Sequence, residues 1–135
     1  MLEIVFTGQN KNKFVSTSYD FGKEAENFAA QYLIQKGYKI LAQNYFFRKA
    51  EIDIIAQKEN EIIIVEVKSR TSNYFTEPEF AVNAKKKKLL VFAADDFIQK
   101  NNFNSDVRFD ILALLKNNES WSIKHIENAF DASEI

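Results

Sequence analysis

Glu51 to Lys68 reads EIDIIAQKENEIIIVEVK, and the rest of the chain arranges itself around this stretch. It predicts two β-strands joined by a short polar turn. The second strand contains an unbroken run, Ile62-Ile63-Ile64-Val65, followed by Glu66-Val67-Lys68. Apolar residues on both parities suit a strand buried on both faces, as in a sheet covered by helices. Charges at the end of such a strand are costly unless they are paired or used. The first strand carries its own acid, Asp53, inside a second apolar run.

The two strands can be set in register by arithmetic. Antiparallel partners share a constant index sum. If Lys58 pairs with Glu61 across a two-residue turn, Asp53 falls opposite Glu66. Opposed residues share a face, with Cβ atoms about 5 Å apart. Lys68 shares that face with Glu66 because side chains repeat every second residue. A slip of one residue would undo the arrangement. Two carboxylates this close repel unless a proton or a cation lies between them.

Composition narrows which cation. The 135 residues contain no Cys and one His, His125, so a thiolate or multi-histidine metal site is excluded. Oxygen ligands point to Mg²⁺ or Mn²⁺ on Asp53 and Glu66. Such an ion acidifies bound water and neutralises charge growing on a phosphoryl oxygen. Lys68 is placed to orient the water and stabilise the same charge. Glu26, on the first predicted helix, is the candidate for a further carboxylate.

Working outward, the chain reads as one domain. Apolar residues make up 46% and charged residues 27%, which is a globular balance. Residues 1–18 are expected as an N-terminal arm or extra strand, 19–130 as the domain, and 131–135 as a loose tail. The polar TGQNKNK near the start resembles a phosphate-binding opening, but nothing downstream supports that reading. A first helix is predicted over about Asp20 to Lys36, capped by Ser18 or Asp20 and stopped at Gly37. Its buried stripe is Phe21, Ala25, Phe28, Ala29, Tyr32 and Leu33. Strands are predicted at Tyr38 to Phe47, Val107 to Leu115 and Trp121 to Ile126. A second helix is predicted over about Glu79 to Lys100, with Leu89, Leu90, Phe92, Ala93, Phe97 and Ile98 inward. The loop from Ser69 to Pro78 is long enough to close over a site. The order is helix, three strands, helix, two strands: an α/β sandwich around one mixed sheet.

Several features have plain structural readings. Arg108 and Asp110 read as a local charge pair, and His125 as a strand or surface residue rather than a ligand. Trp121, Tyr74 and Phe75 read as core or loop anchors. Lys85 to Lys88 spread around a helix, so at most one or two can face a partner. They lie toward the helix N-terminus, where the dipole disfavours cations, which favours a phosphate-facing role for one of them. With 18 basic and 19 acidic residues the net charge is −1, so any nucleic-acid site must be a local patch. No apolar run reaches membrane-spanning length and no signal peptide is visible, so a cytoplasmic protein is expected.

The D…ExK arrangement of Asp53 and Glu66-Val67-Lys68 resembles the signature of the PD-(D/E)XK nuclease superfamily. Six ordered pieces resemble the YraN family of small bacterial proteins within it: residues 25–41, 50–55, 63–70, 78–98, 108–112 and 123–130. The resemblance covers about residues 20 to 130 and implies a restriction-endonuclease-like fold. It implies Asp53 and Glu66 as metal ligands, Lys68 as the catalytic lysine and Glu26 as the helix-one acid. It also implies Lys86 and Arg70 as basic residues for nucleic acid. Glu51 reads as the less important acid of its strand. Family glycines are replaced by Ala25, Ala50 and Thr76, which bears on local backbone geometry. Similarity to archaeal Holliday-junction resolvases makes branched DNA an attractive substrate and pairing of two copies an open expectation. The expected function is metal-dependent hydrolysis of DNA or RNA. The alternative is a nucleic-acid-binding module that keeps the fold and cuts little or not at all.

Overall fold

A computed structural model describes residues 18–71 and 82–134. The element order is α1 (Ser18–Gln35), β1 (Lys39–Phe47), β2 (Ala50–Lys58), β3 (Glu61–Arg70), α2 (Ala84–Lys100), β4 (Asp106–Asn117) and β5 (Ser120–Phe130), with a 3₁₀ turn at Ala132–Glu134. The strands form one sheet in the order β1-β2-β3-β4-β5. Only β3 and β4 run parallel, and α2 is the crossover that joins them. The remaining neighbours are antiparallel.

Among the described residues, each face of the sheet carries one helix. Ala25, Phe28, Ala29, Tyr32 and Leu33 of α1 pack with Ile54, Ala56, Ile63, Val65, Leu112, Leu114 and Trp121. Leu90, Ala93, Ala94 and Phe97 of α2 pack with Ile52, Ile55, Ile62, Ile64, Phe109 and Ile111. The Ile62–Val65 run is buried throughout because its residues feed the two cores alternately. The mixed α/β sandwich expected from the sequence is the observed architecture.

The hairpin register is the one obtained by arithmetic. Lys58 pairs with Glu61, and the ladder runs to Ile54↔Val65 with the same index sum throughout.

Three boundaries differ from expectation. Helix α1 begins at Ser18, so Asp20 sits in its first turn rather than capping it. Glu26 therefore lies beyond the second turn, too deep for the helix dipole to account for an acid there. Helix α2 begins at Ala84 rather than near Glu79: Asn83 is its N-cap and accepts from the Lys86 N–H at 2.8 Å, while Val82 is outside the helix. Residues 79–81 lie outside the described residues, as do Tyr74, Phe75, Thr76 and the N-terminal arm. Phe92, expected inward, is 53% exposed. The inward stripe is Leu90, Ala93, Ala94 and Phe97, and at 100° per residue Phe92 falls off that face. The final strand runs on to Phe130, beyond the expected Ile126.

Candidate metal centre

Alternation breaks on the edge strand β1 and on its neighbour β2 at facing positions, and the acids gather there. On β2, Ile52 and Ile55 pack toward α2 while Ile54 packs toward α1. Strict period-two alternation would put Ile52 and Ile54 on one face. The strand therefore turns over at Asp53. On β1, Ala42 and Tyr45 both pack toward α2, so the parity resets between them as well. The flanking pairs Gln43↔Ile54 and Tyr45↔Ile52 place Asn44 across from Asp53. Asn44 has φ +52°, the left-handed conformation that Asn tolerates better than most residues.

This double break sets the direction of each acid. Glu51, of opposite parity to Ile52, faces α1 and meets Glu26. One carboxylate oxygen from each of Glu26, Glu51 and Asp53 lies within 4.8 Å of the other two. With its amide nitrogen toward the acids, Asn44 donates to Glu26 Oε2 and Glu51 Oε1, both at 3.1 Å, and accepts from Lys23 Nζ at 3.0 Å. Lys23 Nζ is also 3.6 Å from Glu26 Oε2.

Past Ile54↔Val65 the β2–β3 ladder hands over to a side chain. Asp53 Oδ2 accepts the Val67 N–H at 2.7 Å. Glu66, on β3, points to the α2 face, where Lys86 Nζ lies 3.7 Å from its Oε2. The Glu66 side chain is 9% exposed, and its Oε2 has no hydrogen-bond partner. Burial pushes the Asp53 carboxyl up to about 7; the Glu66 charge and then Glu26 push the same way, while the Val67 N–H and Lys86 oppose. Burial likewise raises Glu66, against the pull of Lys86 and Lys68. Two carboxylates whose charged forms are both disfavoured, one with a bare oxygen, suit a hard divalent cation.

The sequence-predicted residues separate accordingly. Asp53, Glu66, Glu26, Lys86 and Lys68 share one electrostatic neighbourhood. Arg70 lies further along β3, exposed, with Nη1 donating to the Ser69 carbonyl at 2.7 Å. Lys86 is the lysine of its run that turns toward the acids. Lys87 and Lys88 lie over the rings of Phe130 and Phe92 at 5.4 and 5.8 Å. Glu51, read from sequence as the less important acid of its strand, lies beside Glu26 and Asp53, and the face switch that brings it there is a tertiary feature. Asn44 and Lys23 were missed. The polar pair Gln43-Asn44, set between Ile40-Leu41-Ala42 and Tyr45-Phe46-Phe47, was the available signal, since Asn is disfavoured in strands.

Residues 25–114 match the model of a family described as uncharacterised protein family UPF0102. A UPF0102 protein of Flavobacterium psychrophilum is 46% identical over 82% of this chain and 93% of its own length. One from Parabacteroides distasonis is 44% identical over 84% of this chain and 93% of its own. One from Thermodesulfovibrio yellowstonii is 45% identical over 82% and 96%. The chain belongs to the UPF0102 family.

Proposed function

We propose that this UPF0102 protein is a divalent-metal-dependent nuclease of the PD-(D/E)XK type, with a restriction-endonuclease-like fold, hydrolysing phosphodiester bonds of DNA or RNA. The observation that carries this reading is the buried Oε2 of Glu66, which has no hydrogen-bond partner and only the Lys86 ammonium at 3.7 Å, beside an Asp53 carboxyl raised to about 7. A fold does not keep such an oxygen for stability, because an unsatisfied buried carboxylate is destabilising. Asp53 and Glu66 are the residues that would hold Mg²⁺ or Mn²⁺, with Glu26 and Glu51 close enough to contribute. The bound ion supplies acidified water and neutralises charge on the phosphoryl oxygens.

The chain's own residues do the rest. Asp53 must release its proton to act as a ligand, so the metal concentration needed to load the site should fall as pH rises toward 7. Lys68, on the same strand face as Glu66, donates hydrogen bonds to the attacking water and offsets charge on the phosphate. Lys86 leaves Glu66 to meet the phosphate backbone, with Arg70 extending the basic path along β3. Such contacts read backbone rather than base, and branched DNA remains the attractive substrate only by analogy of fold. No helix among the described residues is long and apolar enough to cross a membrane.

The second reading is a nucleic-acid-binding module without cleavage. The Lys86 ammonium favours it, because at 3.7 Å from Glu66 it supplies internal positive charge where a metal is otherwise needed. Cleavage assays separate the two. With Mg²⁺ or Mn²⁺ and linear or branched DNA and RNA, wild type is expected to cut. Asp53→Ala should abolish cutting, and Lys68→Ala should slow it about 10²–10³-fold. Cutting that survives in both variants sinks the assigned site. Binding without cutting by wild type selects the module.

A further inference from the structure

We propose that Asn44 is the positioning residue of this centre, holding Glu26 and Glu51 against Asp53 by two separate means. This rests on the nuclease reading, because it concerns how the cation site is built.

The first means is backbone. Asn44 sits across from Asp53, at the step where both strands reverse their alternation. Its left-handed φ of +52° resets β1 by one residue, and β2 follows. Without that reset, Glu51 would share the α2 face with Leu90 and Phe97, away from Glu26. An acid there would be buried against apolar side chains. The turnover thus delivers Glu51 to α1 while leaving Asp53 between the two faces, where it senses both Glu26 and Glu66.

The second means is the side-chain amide. Two carboxylates from different elements, one on α1 and one on β2, repel one another at this range. In the amide orientation that satisfies both its oxygen and its nitrogen, the Asn44 nitrogen gives one of its two protons to each, at 3.1 Å. Its oxygen accepts from Lys23 Nζ at 3.0 Å, which fixes the amide's orientation and brings one positive charge to the pair. A neutral donor is the right chemistry here. A Lys at position 44 would neutralise the acids and compete with a metal, whereas the amide aligns them and leaves their charge available. Hydrogen-bonded partners of ligating carboxylates commonly set metal affinity in this way.

The two roles separate by substitution. Glycine at position 44 retains the left-handed backbone and loses the amide, whereas alanine loses the amide and strains the backbone. The probe is Mn²⁺ alone, read as the rise in melting midpoint of the whole chain above pH 7, without substrate. For Asn44→Gly, the metal-free midpoint is expected near that of wild type. The Mn²⁺ concentration giving half the maximal rise is expected to increase about 10–100-fold. Asn44→Ala should show the same weakened response and a lower metal-free midpoint. Wild-type Mn²⁺ dependence in Asn44→Gly overturns the positioning role and leaves the nuclease reading intact. No Mn²⁺ response in wild type overturns both.

Discussion

Two carboxylates are buried side by side in this sheet, and they have opposite fates. Glu66 of β3 and Asp110 of β4 are the buried charged residues among those described. Asp110 pairs with Val65, the immediate neighbour of Glu66. Glu66 faces α2 and Asp110 faces α1. Burial works against the charged form of both. Glu66 has a bare oxygen and is raised. Asp110 is surrounded by donors: Arg108 bidentate at 2.9 and 2.8 Å, His125 Nε2 at 2.7 Å and the Asn128 N–H at 3.0 Å. These outweigh its burial and hold its carboxyl below the usual range.

The Asp110 network extends further. With Nε2 donating to Asp110, His125 Nδ1 is left to accept from Tyr32 Oη at 3.0 Å. Arg108 also donates to Tyr38 Oη at 2.9 Å. The Asp110 carboxylate accepts four hydrogen bonds, and the network ties α1, β4 and β5 together. The acids around Asp53 lack that closure. Desolvation alone does not mark a functional carboxylate; desolvation that the surrounding donors do not offset does.

Breaking the satisfied side should have the largest effect on the fold. Asp110→Ala leaves Arg108 partly buried without its partner and should cost about 3–5 kcal/mol of stability. Urea denaturation measures it, and the Mn²⁺ response of the folded fraction should persist. If the loss is below about 1 kcal/mol, the network is ornamental to stability.

Titration should then tell the two carboxylates apart. Asp53 has a folded value near 7, above its unfolded one, so the folded state holds a proton that the unfolded state has released. Metal-free stability should therefore fall as pH rises from about 4 to about 7, by roughly 2–4 kcal/mol. Mn²⁺ binds the deprotonated form and should flatten that slope. Asp110 has the opposite sign. Its lowered carboxyl contributes stability at neutral pH that is lost only in acid, below its unfolded range near 4. Melting curves across pH, with and without Mn²⁺, check both windows. A flat metal-free profile between pH 4 and 7 would contradict the strained state of Asp53.

The smallest change is expected from Glu66→Gln. Removing a buried, incompletely satisfied charge should leave stability unchanged or raise it by about 1 kcal/mol. The Mn²⁺ shift should disappear. Strong destabilisation would mean that the Glu66–Lys86 pair is structural.

The difference between these regions also explains what could be read without coordinates. The Arg108–Asp110 pair was visible because i,i+2 residues share a strand face. His125, read as a strand or surface residue, is in β5, but its place between Asp110 and Tyr32 depends on three elements meeting. Glu66, Asp53 and Lys68 were visible because they interrupt apolar runs. Trp121 was read correctly as a core residue, packing on Phe21 and Phe28. Phe92 was read as inward because hydrophobicity was weighed above phase along the helix.

The hairpin register was determined by sequence alone. A two-residue turn leaves little choice, since a slip of one residue would swap every side chain of the strand between the two cores and carry Asp53 off Glu66. The sandwich followed from the order of its elements. Only the tertiary structure decided where alternation fails. The left-handed backbone of Asn44 permits the turnover, but nothing in the local sequence requires it. That turnover is selected by the two helices, each demanding apolar residues on its own face of the sheet. It brings Glu26 and Glu51, distant in sequence, to the same point as Asp53. Period-two arithmetic holds while strands are evenly covered, and it fails at the sheet end, where β2 leaves β3 and polar side chains take over the hydrogen bonding.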